Sequence, residues 1–149
     1  MKDCLIKARN YAIKIIYKWV LKPVFFQIDP EIIHDYAVSI GKFLGKFYIT
    51  KKITGFFFRY SNPILEQKIL GITFKNPVGL AAGFDKNAMI TEILPEVGFG
   101  FEEIGSITGE PCQGNKKPRL WRLKKSKALV VYYGLKNDGC EIISKRLKN

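Results

Sequence analysis

The chain has 149 residues, nearly half of them apolar, and a formal net charge of +12. That length holds one ordinary domain with a real core, and that apolar share excludes a disordered chain. Cys4, Cys112 and Cys140 are odd in number and widely spaced, and His34 is the single histidine, so neither a disulfide framework nor a metal site is expected. The excess charge suits an acidic partner (nucleic acid, an anionic bilayer or a phosphorylated small molecule) or reflects a lysine-rich background.

Residues 5–22 have a helical period. Leu5, Ala12, Ile13, Ile16, Trp19 and Val20 fall on one arc, with Lys7, Lys14, Lys18 and Lys22 opposite; Arg9 interrupts the apolar side. Lysines recur too often for a spanning helix, and the uninterrupted apolar stretch of a signal peptide is missing. Such a helix suits a membrane surface or packs on its own domain. A second helix follows a joint near Pro23. Asp29 caps it, Pro30 takes its first position, Glu31 favours its positive end, and Ile32, Ile33, Tyr36, Ala37 and Ile40 recur at helical spacing. "ITKKITGFFFRYSNP" is again apolar and basic. The expected element is a helical hairpin whose apolar mouth is either a core face or the entrance for an apolar ligand.

The character changes near Pro63. Lys68–Leu70 and Ile72–Phe74 read as a hairpin turning at Gly71, and Val78–Ala82 as a buried strand. "KNAMITEILPEVGFG" reads as helix, bent or ended by Pro95, and "FEEIGSIT" as a second strand. After the loop "GEPCQGNKKPRL", "RLWRL" and "ALVVYY" are strand-like and "NDGCEIISKRLK" closes the chain as helix. Strand and helix in alternation indicate a parallel α/β arrangement.

"NPVGLAAGFDKNA", residues 76–88, puts small residues at the carboxyl end of a strand, where α/β folds bind ligands. Gly79, Ala81, Ala82 and Gly83 would let a flat ring lie against the backbone, and Lys86 is a positive donor for an anion. The pattern alone favours the plainer reading, in which small residues pack a strand on a helix and Asp85-Lys86 is an exposed pair. The dinucleotide fingerprint GxGxxG is absent. Ser106 stands at the other strand end as a hydrogen-bond donor. His34 alone reads as structural or solvated. Lys124, Lys125 and Lys127 read as a solvated loop or as a nucleic-acid contact, and no aromatic-basic interleaving marks an RNA-binding sheet.

Four stretches, "FQIDPEIIHDYA", "LGITFKNPVGLAAGFDKNA", "GFGFEEIGSIT" and "GNKKPRLWRL", in that order and spacing, resemble class 2 dihydroorotate dehydrogenases, the quinone-linked enzymes of pyrimidine (UMP) synthesis. The resemblance implies a helical hairpin over residues 1–62 that docks on the membrane and admits quinone. It implies the first part of a (β/α)8 TIM barrel, truncated, over residues 63–149, with FMN at its mouth. Ala82, Gly83, Phe84, Asp85, Lys86 and Ser106 are then expected at the flavin. Lys86, Tyr133, Gly134, Leu135 and Asn137 are expected at dihydroorotate or orotate. His34 becomes a residue of the path for ubiquinone or menaquinone. The expected location is peripheral, on the cytoplasmic side of an anionic membrane, with no nucleic-acid partner.

Two departures bear on that expectation. Val131 stands where the family usually has Asn, and Tyr132-Tyr133-Gly134-Leu135 where it has Arg-Met-Gly-Phe, so the side-chain hydrogen bonds made to substrate at Val131 are lost. An eight-unit barrel needs about 250 residues, and the part starting near Gln67 has room for roughly two or three units. The family's catalytic serine and flavin phosphate loops would fall after Asn149, so no catalytic residue is expected here and the piece alone should be inactive. The alternative function is a non-catalytic membrane-surface module.

Overall fold

The structure is a computed structural model that describes residues 2–148. The basic amphipathic stretch forms α1 (Lys2–Ile16), a π-helical turn (Tyr17–Leu21) and α2 (Lys22–Phe25). Pro23 does not end it. The Lys22 N–H closes the π turn on the Tyr17 carbonyl, and Pro23 falls in the first turn of α2, where no N–H is required. The joint therefore lies after Phe26, a few residues later than the sequence suggested. Arg9, misplaced on the apolar arc, donates from Nη1 to the Phe56 carbonyl at 2.8 Å and ties α1 to a later helix.

α3 (Pro30–Lys46) starts as expected. The Asp29 carboxylate accepts from the Glu31 and Ile32 N–H groups at 2.8 and 3.2 Å. One extended residue, Phe47, separates it from α4 (Tyr48–Phe58). Gly41 and Gly45, four apart on one face of α3, allow close approach: a Cβ on Gly41 would meet Ile90 Cγ2 at 2.8 Å, and one on Gly45 would meet Glu92 Cβ at 3.0 Å. There the core forms from Ile90, Ile93 and Leu94, with Val38, Leu44, Leu80, Met89 and Phe99 around them.

Beyond a 3-10 turn (Pro63–Leu65), β1 (Gln67–Ile69) and β2 (Ile72–Phe74) pair antiparallel with Lys68 opposite Thr73. Their two-residue turn takes positive φ at both Leu70 and Gly71 (49° and 82°), the twist that suits a tight hairpin. β3 (Gly79–Leu80) and β4 (Phe101–Glu102) run parallel. β5 (Leu120–Leu123) and β6 (Ala128–Val131) form a second antiparallel hairpin, and α6 (Cys140–Lys148) follows. The architecture is α/β, helices with three two-stranded sheets. Among the described residues one pair is parallel and no barrel closes.

The expected helix over 86–100 is only α5 (Leu94–Val97). Pro95 starts it rather than ending it, and Gly98 at φ 109° closes it. Residues 86–93 are turns because the Asp85 carboxylate takes the Asn87 and Ile90 N–H groups, at 3.1 and 2.7 Å, and Ala88 sits at φ 53°. Among the described residues no helix is long and apolar enough to cross a membrane.

Candidate functional site

The parallel pair aims its carboxyl ends at the loop that carries Lys86. Asp85 organises that loop: its carboxylate is 1% exposed and is spent on the backbone. It is therefore not half of an exposed ion pair with Lys86. With Asp85 fixed, Lys86 extends back so that Nζ donates to the Gly83 carbonyl at 2.8 Å and lies 3.9 Å from the Tyr133 ring centroid. Burial, then the neighbouring Lys136 charge, hold the Lys86 pKa below that of a free lysine.

Two cavities meet at this lysine, and a third adjoins them at Phe84. One, of about 250 Å³, is lined by Ala82, Gly83, Lys86, Ser106, Val131 and Leu135, together with Tyr133 and Lys136. The second, about 210 Å³ and polar, shares Lys86, Tyr133 and Lys136 and adds His34, Asp35 and Phe84. The third, about 490 Å³ and apolar, shares Phe84 and runs between Ile33, Tyr36 and Ile40 of α3 and Ile90, Leu94 and Phe99. Phe84 thus stands between the apolar and the polar cavity, and Lys86 and Tyr133 between the polar cavity and the Gly83 surface. His34 fixes Phe84: its Nε2 donates to the Phe84 carbonyl at 2.7 Å, and the two rings pack edge to face at 5.1 Å.

Two expected substrate contacts lie elsewhere. Gly134 lines none of the three cavities; it sits at φ 66° against the Asn115 side chain, where a Cβ would come within 2.8 Å of the amide. Asn137 is 3% exposed and its amide is fully engaged. Nδ2 donates to Thr108 Oγ1 and the Leu135 carbonyl at 2.9 and 2.7 Å, and Oδ1 accepts from the Gly139 N–H at 2.8 Å. Its side chain ties the 108–112 strip to the 135–139 strip, where Cys112 and Asn137 exchange backbone bonds. A satisfied, buried amide has no donor left for a ligand.

The sequence reading missed the frame behind the site. Glu31 and Arg119, 88 positions apart, are each 4% exposed and paired: Nε and Nη2 of Arg119 both donate to Glu31 Oε1, at 3.1 and 2.8 Å. Nη1 of Arg119 donates to the Gln113 and Asn115 carbonyls, and Lys117 adds a second cation to Glu31. Burial pushes the Glu31 carboxyl up, but the hydrogen bonds and charges of Arg119 and Lys117 outweigh it and hold the pKa below the usual range. The other side of Arg119 packs on Tyr133, whose ring lies 4.9 Å from Cζ. Tyr133 is thus stacked by Arg119 and Lys86, its hydroxyl buried without a partner and pushed up to about 12, mainly by burial. Glu102, at the end of β4, has an unpartnered Oε1, and burial with the facing Asp85 raises its carboxyl to about 7.

A sequence profile of the family described as Dihydroorotate dehydrogenase matches residues 64–149. A "Dihydroorotate dehydrogenase (quinone)" of Christiangramia forsetii is 42% identical over 137 residues, which are 90% of this chain and 39% of that protein. One of Nitratiruptor is 43% identical over 129 residues, 86% of this chain and 36% of that protein. Among solved structures, DHODH from Eimeria tenella in complex with ferulenol superposes with a TM-score of 0.64 at 38% identity, over 80% of this chain and 30% of that one. The chain therefore spans less than two fifths of the length of these relatives. A profile that matches more than half of the residues, the polar and apolar cavities it helps to build, and relatives at about 40% identity agree: the chain belongs to the dihydroorotate dehydrogenase family.

Proposed function

We propose that residues 1–149 form the quinone-access and first flavin-contacting part of a quinone-linked dihydroorotate dehydrogenase, which oxidises dihydroorotate to orotate in pyrimidine synthesis. The observation that carries the proposal is the row of three cavities. An apolar one suits a quinone tail, a polar one its head, and the surface over Ala82 and Gly83 a flavin, with Phe84, Lys86 and Tyr133 as the partitions. In this reading residues 1–62 rest on an anionic membrane from the cytoplasmic side. Residues 63–149, with the β3–β4 parallel pair, begin a (β/α)8 barrel.

The residues present fit FMN. Gly83 is at φ 106°, and nothing lies within 4 Å of where its Cβ would stand, so the backbone there is bare toward open space. Ala82 is small, and Ser106 and Lys86 supply donors along the same cavity. When bound, FMN supplies the acceptor for the hydride that leaves dihydroorotate and passes the electron pair on to quinone. Lys86 provides a fixed ammonium in a partly dry wall, where attraction for an anionic substrate or an electron-rich ring is stronger than in water. His34 holds the Phe84 carbonyl and so the position of the partition. Proton removal is assigned to no side chain among those described. The Tyr133 hydroxyl is buried and weakly acidic, and Glu102 lines none of the three cavities.

The test is a chimera in which residues 1–149 replace the matching stretch of a quinone-dependent relative. Retained FMN and orotate formed with a soluble quinone are the expected outcome. A folded chimera that keeps FMN yet forms no orotate overturns the reading, leaving the membrane-surface module.

A further inference from the structure

Residues 111–137 contain eight Lys or Arg and no Asp or Glu. Several are committed within the fold. Lys117 and Arg119 meet Glu31, Arg122 donates to the Ile28 carbonyl, and Lys136 lines the two cavities beside Lys86. Lys124, Lys125 and Lys127 differ. They occupy the turn between β5 and β6, all three are exposed, and none forms a salt bridge among the described residues.

The strands behind that turn add an apolar face. Leu120 and Arg122 of β5 are half-buried, whereas Trp121 and Leu123 are exposed. The register sets Val130 opposite Trp121 and Ala128 opposite Leu123, and both partners are exposed as well. One face of the hairpin is therefore Trp121, Leu123, Ala128 and Val130, ending in three ammonium groups without counter-ions. Trp beside aliphatic groups, rimmed by lysine, is the order of chemistry that a bilayer interface selects: the indole at headgroup level, the aliphatic groups below it and the lysines at lipid phosphates. Single-stranded nucleic acid would need successive aromatic platforms along a basic groove, and here Trp121 is flanked by Leu123 and Val130.

The hairpin also adjoins the N-terminal helix. Arg122 Nη1 donates to Ile28 O at 2.6 Å, its guanidinium lies 5.0 Å from the Phe26 ring, and Lys22 Nζ lies 5.3 Å from the same ring. The turn begins two residues past Arg122, about 7 Å along the strand. Next to this junction, the π turn and α2 expose Trp19, Val20, Leu21 and Val24. We propose that the β5–β6 hairpin is a second contact with an anionic bilayer, placing Lys124, Lys125 and Lys127 at lipid phosphates and Trp121 at headgroup level. This goes beyond the helical contact proposed above and stands or falls separately from it.

The two tryptophans allow the contacts to be read one at a time. In Trp19→Phe, Trp121 is the sole indole. With vesicles of brominated phosphatidylglycerol and phosphatidylcholine at low salt, Trp121 emission should shift to the blue and be quenched, and phosphatidylcholine alone should leave it unchanged. Replacing Lys124, Lys125 and Lys127 together by Gln should weaken that binding on the order of 100-fold, because each lysine near such a surface contributes about fivefold. Circular dichroism checks that this variant keeps its fold, and the quenching itself does not depend on the variant. Unquenched Trp121 alongside quenched Trp19 in Trp121→Phe overturns the hairpin contact while the helical one stands. So does a triple variant with undiminished affinity. A Trp121 response to a DNA duplex but not to vesicles reassigns the patch to nucleic acid and equally overturns the proposal.

Discussion

The helices of residues 2–58 turn large apolar side chains outward, Trp19, Ile40, Phe43 and Phe56 among them, while residues 76–139 bury charge and amide groups: Asp85, Arg119 and Asn137 are all nearly inaccessible. The first region packs α3 on the core yet leaves much of its apolar surface exposed. The second has little regular structure, so its loops are fixed by polar groups that each satisfy several backbone atoms. The comparison teaches that the loops around Lys86 are placed by buried electrostatics, whereas the helices before them keep their hydrophobicity exposed. The two meet at Glu31–Arg119, where the start of α3 is locked to the strip before β5.

Breaking that lock should give the largest effect. Arg119→Met leaves Glu31 buried without its main partner, and loss of one member of such a pair costs about 3–5 kcal/mol. Urea unfolding should show it, and Tyr133 should lose the support on one face. An unchanged midpoint would mean that the two regions are not joined there.

Within the second region, Lys86→Ala sharpens the distinction between site and frame. In the chimera it should slow single-turnover flavin reduction about a hundredfold or more, the usual cost of one donor aimed at developing charge. Its unfolding midpoint should move less than that of Arg119→Met, since Lys86 makes one hydrogen bond, to Gly83, and one ring contact, with Tyr133. A normal reduction rate would remove the role given to this lysine.

In the first region the effects are smaller and depend on salt. Lys14→Gln should weaken flotation with anionic vesicles about fivefold at low salt, less at high salt, without altering thermal unfolding. Equal recovery with neutral vesicles would turn the helix surface from an electrostatic contact into a purely apolar one.

The last prediction is a slope rather than a step. Glu102 titrates near 7 in the folded chain against 4.5 for the unfolded one, so the native state holds the extra proton between those values. Stability should therefore decline as pH rises from about 4.5 through about 7, and Glu102→Gln should flatten that decline. Glu31 is lowered instead, so its contribution is present above 4.5 and is lost as pH falls through its folded pKa. Unfolding measured across pH separates the two carboxyls, and a Glu102→Gln profile parallel to the parent would mean that the Asp85–Glu102 contact does not bear on folding.

Local chemistry was legible from the residues alone. Asp29-Pro30-Glu31 announced the start of α3, the Gly71 turn announced the β1–β2 hairpin, and the lysine period announced α1. The four stretches that resemble the family pointed to Ala82, Gly83, Lys86, Ser106 and His34 before any geometry, and the fold gathers these residues around adjoining cavities. Each such signal lies within a few residues, because caps, turns and helical faces are set by near neighbours. The tertiary structure alone decided the rest. Gly134 and Asn137 are held against partners from other loops, and Glu31 and Arg119 pair across 88 positions. A sequence shows that a side chain can donate or accept, but burial and partners arriving from far along the chain determine whether that capacity is already spent on the fold or remains available to a ligand.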